Sequence, residues 1–178
     1  KIVDTSIRDG NQSLWAATGI TTGMAEAMAP IYERMGLHAL DFTSSTHLVM
    51  GTKFHGENPW ERISRVRAAA PNTHLSCITT GMRFMSWEKA EESVYRMSLR
   101  VMARHGLSRL MIAEPGNDIA QTIKVAGWAK EEGIGEDEMN QVGLPAREWA
   151  LGTDEASPVA GIALQALGPM RGRLAFYA

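Results

Sequence analysis

Lys1–Trp15, KIVDTSIRDGNQSLW, is the stretch on which the reading of this chain turns. Lys1 to Thr5 reads as a short first strand. It runs straight into a polar cluster: Asp4, Thr5, Ser6, Arg8, Asp9, Asn11, Gln12 and Ser13. Charge of that density at a strand end is costly to bury unless it is paired or coordinates something. Spacing alone leaves two readings open. One is a solvated turn closed by an Arg8–Asp9 pair, and the other is a site.

The pattern repeats outward from there. Thr21 or Thr22 caps a helix over Gly23–Met35, with Met24, Ala27, Met28, Ile31 and Met35 at the 3.6 period and Gly36 as the stop. The Met-rich face is expected to be core, and Pro30 to kink the helix. Leu37–Thr43 is a second strand, followed by a polar loop Ser44–His47 and a long connection. Asn58 caps a helix whose first turn holds Pro59 and whose buried face is Trp60, Ile63 and Val66, ending near Ala70. His74–Thr79 is the third strand. A helix over Glu88–His105 carries Val94, Met97, Val101 and Met102 on one face, with acids early and bases late, as the helix dipole favours. Leu107–Ala113 is the fourth strand, and Ile119–Glu132 the fourth helix.

Four strand-helix units of about 35 residues argue a parallel sheet with crossover helices. Polar residues gather where each strand ends, which is where α/β enzymes place their chemistry. Asp9, Asp41, Thr80 and Glu114 are therefore expected on one rim. The pattern fits half of a barrel and a four-stranded open sheet equally well. Residues 1–134 are read as one unit and 135–178 as an unassigned segment, discontinuous or completing part of a barrel. The regular pattern is expected to stop at Ile134. A short helix at Ala146–Leu151, an apolar run at Val159–Leu167 and a strand at Arg173–Tyr177 are the features expected beyond it.

A net charge of −2 without a basic run gives no electrostatic case for nucleic acid. No apolar stretch approaches the ~20 residues of a membrane span. Cys77, the single cysteine, excludes an internal disulfide and fits a reducing compartment, so a cytoplasmic location is expected. The chain begins inside a strand without Met, so an upstream segment is expected.

DTSIRDGNQ resembles the first-strand signature, D-[ST]-x-x-R-D-x-x-Q, of the metal-dependent lyase and carboxyltransferase TIM barrels, the hydroxymethylglutaryl-CoA lyase-like superfamily. Asp4, Arg8, Asp9 and Gln12 match it. The Gln-Ser-Leu that follows, and ENPWERI at Glu57–Ile63, look most like its branch of the oxaloacetate decarboxylase alpha subunit and the pyruvate carboxylase carboxyltransferase domain. The likeness covers roughly Lys1–Ile134 and fades toward its end. It implies an α/β fold, the (β/α)8 barrel, of which four units are recognisable. It also implies Asp9 as ligand of a divalent metal (Zn, Mn or Mg), a hard cation suited to carboxylate oxygen. Arg8 and Gln12 would be catalytic and substrate-binding, holding the substrate and its developing negative oxygen, and Thr80 would line the substrate site. The implied reaction is carbon-carbon lysis or carboxyl transfer through a metal-stabilised enolate. The implied partners are a small carboxylic acid or acyl-CoA, a biotin carboxyl carrier subunit and an oligomer. The rival readings are a Claisen-type synthase or acyl-CoA lyase of the same superfamily, and a non-catalytic binding or assembly subunit.

The sequence departs from that family in places that matter. It has no His-x-His pair, and Lys124 and Lys130 fall on a helix where the family uses a strand-end Lys. The 44 residues after Ile134 are too few for four more units. Met111 and Glu114 replace a basic residue and Asp. His47, His55 and Arg83 sit in loops near the mouth and are read as solvated or structural. Thr80 stands where the pyruvate-acting branch carries an Arg. Losing one charged hydrogen bond costs roughly 1.5–3 kcal/mol, about one to two powers of ten in specificity. Pyruvate and oxaloacetate are therefore expected to be poor substrates. Steady-state decarboxylation of oxaloacetate saturating at low concentration would contradict this.

Overall fold

The computed structural model describes residues 2–83, 88–114 and 118–135, and the backbone of 141–143. Its strands are β1 (Val3–Asp4), β2 (Ala39–Ser44), β3 (His74–Thr79), β4 (Arg109–Ala113) and β5 (Gln141–Gly143). They form one five-stranded sheet in chain order, and every neighbouring pair is parallel. The four strands expected from sequence are all present. The expected stop at Ile134 is not: the parallel order continues past it, where Gln141–Gly143 adds to β4 in the register Met111↔Gln141. Three residues carry too little pattern to read as a strand without a neighbour. The helix, apolar run and strand expected within 146–177 lie outside the described residues.

The crossover helices are α2 (Thr22–Arg34), α4 (Pro59–Ala69), α5 (Glu92–Arg104) and α6 (Ile119–Glu131). Two short helices precede the first two crossovers, α1 (Asn11–Trp15) and α3 (Ser45–Met50). The Ser44–His47 loop expected from sequence is thus the start of α3, which continues through a π-helical turn at Gly51–His55. Caps follow the sequence. Thr21 Oγ1 accepts from the Met24 amide at 3.3 Å, and Asn58 Oδ1 from Trp60 and Glu61 at 3.0 and 3.4 Å. Pro30 is carried inside a continuous α2.

Two helices turn a different face to the sheet from the one expected. α2 buries Thr22, Ala25 and Ala29, with Met28 partly buried, while Met24, Ile31 and Met35 are 52–58% exposed. α5 buries Tyr95, Ser98, Leu99 and Met102, while Val94 and Met97 are exposed. Each helix carries two apolar stripes at helical spacing. In α2 the stripe with small residues meets the sheet, because Ala25 and Ala29 let the backbones approach closely. α4 is as expected, with Ile63 and Val66 fully buried. The core between sheet and helices is formed by Leu40, Phe42, Leu75, Cys77, Leu110 and Ile112 on the sheet side. Side chains alternate along a strand, so Asp41, Ser76 and Arg109, which stand in register, share the other face.

The end of the sheet away from the polar turns is tied by two side chains. Arg67 donates to the carbonyls of Gly106, Ala70, Pro71 and Thr73 at 2.8–3.1 Å and to Ser108 Oγ at 3.3 Å. Its stem lies against Gly106, at φ +102°, where a Cβ would stand 2.6 Å from Arg67 Cγ. Glu33 accepts from the amides of Asn72 and Thr73, both at 3.0 Å, and from both their side chains. These bonds hold α4 to the start of β4 and α2 to the start of β3. Surface pairs such as Arg100–Glu132, at 2.7 Å, join neighbouring helices and contribute little each.

An ammonium cannot reach several loop carbonyls and a hydroxyl at once. Arg67→Lys is therefore expected to lower unfolding free energy by about 2 kcal/mol, read as a shift in urea midpoint at unchanged slope. A variant within a few tenths of wild type would remove the clamp from the account.

Candidate functional site

The polar turns gather at the carboxyl end of the sheet, as expected. After β1 the chain makes a π-helical turn over Ser6–Gly10. Asp4 starts it: Oδ1 accepts from the Ser6 amide at 2.9 Å and Oδ2 from Ser6 Oγ at 3.2 Å. The Thr5 carbonyl then accepts from both Arg8 and Asp9 amides. Asn11, fully buried, receives the Gly19 amide on Oδ1 at 2.9 Å and so folds the following loop back on the turn. That loop passes through two left-handed alanines, Ala16 and Ala17, at φ 49° and 64°.

Arg8 is the organising side chain, 5% exposed. Its Nε donates to Asp41 Oδ2 at 2.6 Å and its Nη1 to Asp9 Oδ1 at 2.7 Å. Asp41 is not on the rim, where the sequence reading put it. It sits inside the sheet at zero exposure, in register with Ser76, and Arg8 reaches down to it. Burial pushes the Asp41 carboxyl up to about 6, against the pull of Arg8 and Arg109. Asp9 stands at the rim with its side chain 59% exposed.

Gln12 lies on α1 beside the end of β2. Its Oε1 is 3.4 Å from Ser44 Oγ, which also sits 2.7 Å from His47 Nδ1 and accepts from the His47 amide at 3.3 Å. His47 is not solvated. It is 3% exposed, and burial holds its ring down to about 3, with Arg62 and Arg8 adding to the effect. ENPWERI supports this corner from behind. Glu57 accepts from the Thr22 amide at 2.8 Å and from Thr22 Oγ1 at 2.6 Å, while the buried Arg62 donates to the Ile20 carbonyl at 3.3 Å.

The third and fourth strand ends form a separate cluster. Thr80 opens a tight turn closed by the Arg83 amide on its carbonyl at 2.9 Å. Gly81, at φ +56°, packs against Gln121 and Glu114. Glu114 is 6% exposed and accepts from the Asp118 amide at 2.8 Å and from Gln121 at 3.3 Å, with Arg83 at 3.7 Å. His55 is exposed, with Nε2 2.9 Å from the Thr18 carbonyl. Of the residues singled out from sequence, Arg8, Asp9 and Gln12 are brought together, and Thr80 belongs to the neighbouring cluster.

The sequence reading missed Asp41 as the partner of Arg8, and Ser44 and His47 as neighbours of Gln12. One signal was available: a lone carboxylate in ALDFTS, a strand whose six residues are all buried, requires a cation. Among the described residues no group of three His, Cys, Asp or Glu could hold an ion. Asp9 offers one carboxylate, so the described residues do not by themselves make a metal site. No helix among them is long and apolar enough to cross a membrane.

No family model matches the chain. A pyruvate carboxylase subunit of Methanocaldococcus jannaschii is 26% identical over 136 residues, 75% of this chain and 23% of that protein. The 2-oxoglutarate carboxylase large subunit of Hydrogenobacter thermophilus is 26% identical over 136 residues, 76% of this chain and 20% of that protein. The carboxyl transferase domain of Rhizobium etli pyruvate carboxylase, in its structure with pyruvate, has the same fold. Its TM-score is 0.80 at 20% identity, over 99% of this chain and 30% of that one. The chain thus spans less than a quarter of the two curated relatives, which are enzymes. The resemblance to the carboxyltransferase branch is borne out.

His47 gives this corner a pH signature. The unfolded ring takes a proton below about 6.5 and the folded ring only near 3, so its contribution to stability is present above 6.5 and lost as pH falls toward 3. Asp41 works oppositely: its contribution is full below 3.8 and lost as pH rises through about 6. His47→Asn removes the first effect alone. Its stability is expected to fall less steeply than wild type between about pH 6 and 4, by about 1.4 kcal/mol per pH unit. Urea unfolding across that range measures it, and equal slopes would show that the ring is not held neutral.

Proposed function

We propose that the protein carrying this stretch transfers a carboxyl group between biotin on a carrier domain or subunit and a small carboxylic acid or acyl-CoA. The acceptor reacts as its enolate: a proton leaves the carbon beside its carbonyl, that carbon forms the new bond to the carboxyl carbon as the carboxyl–nitrogen bond to biotin breaks, and the released biotin nitrogen ends with the proton. The observation that carries this reading is the turn itself. Arg8 is held by a fully buried Asp41 beside Gln12, at the carboxyl end of a sheet shared with a carboxyl transferase domain. Arg8 supplies fixed positive charge where an enolate oxygen develops, and the Gln12 carboxamide a hydrogen bond to it. Asp41 keeps the guanidinium from swinging into the mouth. The likeness to a pyruvate carboxylase subunit and a 2-oxoglutarate carboxylase subunit supports biotin as the carrier.

A divalent ion, if bound, would take Asp9 as one ligand and the others from outside the described residues. It would supply Lewis acidity at the acceptor carbonyl. Thr80, in its own turn beside Glu114, offers no cation to a substrate carboxylate, so the acceptor is held differently from one bound by an Arg there. A second reading is a non-catalytic assembly subunit, favoured by the absence, among the described residues, of any group of three His, Cys, Asp or Glu that could hold an ion.

Purified full-length protein separates the two. The enzyme reading expects avidin-sensitive transfer of labelled carboxyl from biotin to an acid or acyl-CoA acceptor, and about one divalent ion per chain. Asp9→Asn is expected to lower metal content and abolish turnover with the melting temperature nearly unchanged, since a half-exposed rim carboxylate contributes little to the core. Equal metal and turnover in wild type and Asp9→Asn would end the Asp9 assignment. Absence of both activity and metal would leave the assembly reading.

A further inference from the structure

Ser44 and His47 form a buried polar arrangement at the mouth that the proposed chemistry does not use. Ser44 Oγ is the hub, within reach of His47 Nδ1 at 2.7 Å and Gln12 Oε1 at 3.4 Å, while already accepting from the His47 amide. Both residues are 3% exposed, so water does not compensate for a wrong arrangement. A hydroxyl has one hydrogen. If the ring hydrogen is on Nε2, Ser44 must donate to Nδ1, and two oxygens face each other across the Gln12 contact with no hydrogen between them. If it is on Nδ1, the ring donates to Ser44 and Ser44 donates to Gln12 Oε1. His47 Nε2 makes no hydrogen bond in the structure.

We propose that His47 and Ser44 are positioning residues: a neutral His47 with its hydrogen on Nδ1 holds the Ser44 hydroxyl toward Gln12 Oε1. The Gln12 amide group is thereby turned outward as a donor to the mouth. The relay acts through Gln12, and this rests on the proposed role of Gln12 as donor to the substrate oxygen. With the other tautomer the carboxamide would turn over, Nε2 of Gln12 donating to Ser44 and Oε1 facing the mouth. An oxygen there would repel an enolate, so the ring's tautomer selects the chemistry the mouth can do.

The test has two arms in the full-length protein. In the first, the protein is labelled with 15N-histidine and the His47 signals are assigned by their loss in His47→Asn. A neutral ring with hydrogen on Nδ1 is expected, and hydrogen on Nε2 or a charged ring at neutral pH overturns the proposal. In the second, Ser44→Ala is expected to lower kcat about tenfold with KM little changed. Ser44→Thr, which keeps the hydroxyl, is expected to restore it. Ser44→Ala also removes the cap of α3, but that loss is equal in any background. In Gln12→Ala the same substitution is therefore expected to have no further effect on kcat, and an equal loss in both backgrounds overturns the proposal. If full-length protein shows no carboxyl transfer, the function above fails, while the histidine spectra still decide the relay.

Discussion

The turn after β1 depends on one buried ion pair, Arg8 with Asp41. A guanidinium and a carboxylate removed from water each lose several kcal/mol of solvation, and only close, well-aligned bonds offset this. The pair meets that condition at 2.6 Å. The consequence is positional. Arg8 belongs to the turn after β1 and Asp41 to the middle of β2, so the pair fastens a short irregular turn to the interior of the sheet. Asp9 and Gln12 flank Arg8 on the same turn and helix, and their placement follows from it. Removing Asp41 would leave the buried Arg8 only the rim carboxylate of Asp9, and removing Arg8 would leave the buried Asp41 only the pull of Arg109, so the turn and the strand are bound to change together.

The fold was largely legible in the sequence, for a physical reason. Strands and crossover helices alternate with a regular spacing, and each is bounded by a residue with one conformational job: Asn58 as a cap, Gly106 in a left-handed turn. Local signals of that kind survive without tertiary context. The buried faces of α2 and α5 did not survive. Met24, Met28, Ile31 and Met35 are as periodic as Ala25 and Ala29, and hydrophobicity ranks them higher. The decision belongs to close approach, which rewards small side chains and is set by the sheet. β5 failed for the opposite reason, having too few residues to show any period.

The site was legible in part. DTSIRDGNQ singled out Arg8, Asp9 and Gln12 through its resemblance to a family signature, since spacing alone left a solvated turn open. The residues that hold them, Asp41, Ser44 and His47, come from the next unit, more than thirty positions along. Ordinary identities at such separation carry no joint signal in one sequence. Asp41 came nearest to announcing itself, being charged in an otherwise buried strand. His47 gave no such sign, since a histidine in a polar stretch reads as solvated or structural until the structure covers it.

The strand order equals the chain order, and this bears on how the molecule is made. Strands begin at residues 3, 39, 74, 109 and 141, so each new one pairs with the one synthesised just before it. A ribosome takes roughly 2–7 s to add 35 residues at about 5–20 residues per second, while secondary elements form in microseconds. Each unit has time to dock before the next emerges, with no need to wait for a distant segment. The same order leaves one unpaired strand edge at the growing front throughout synthesis. That front moves along the nascent chain and is the place where a chaperone, or a wrong partner, would meet it.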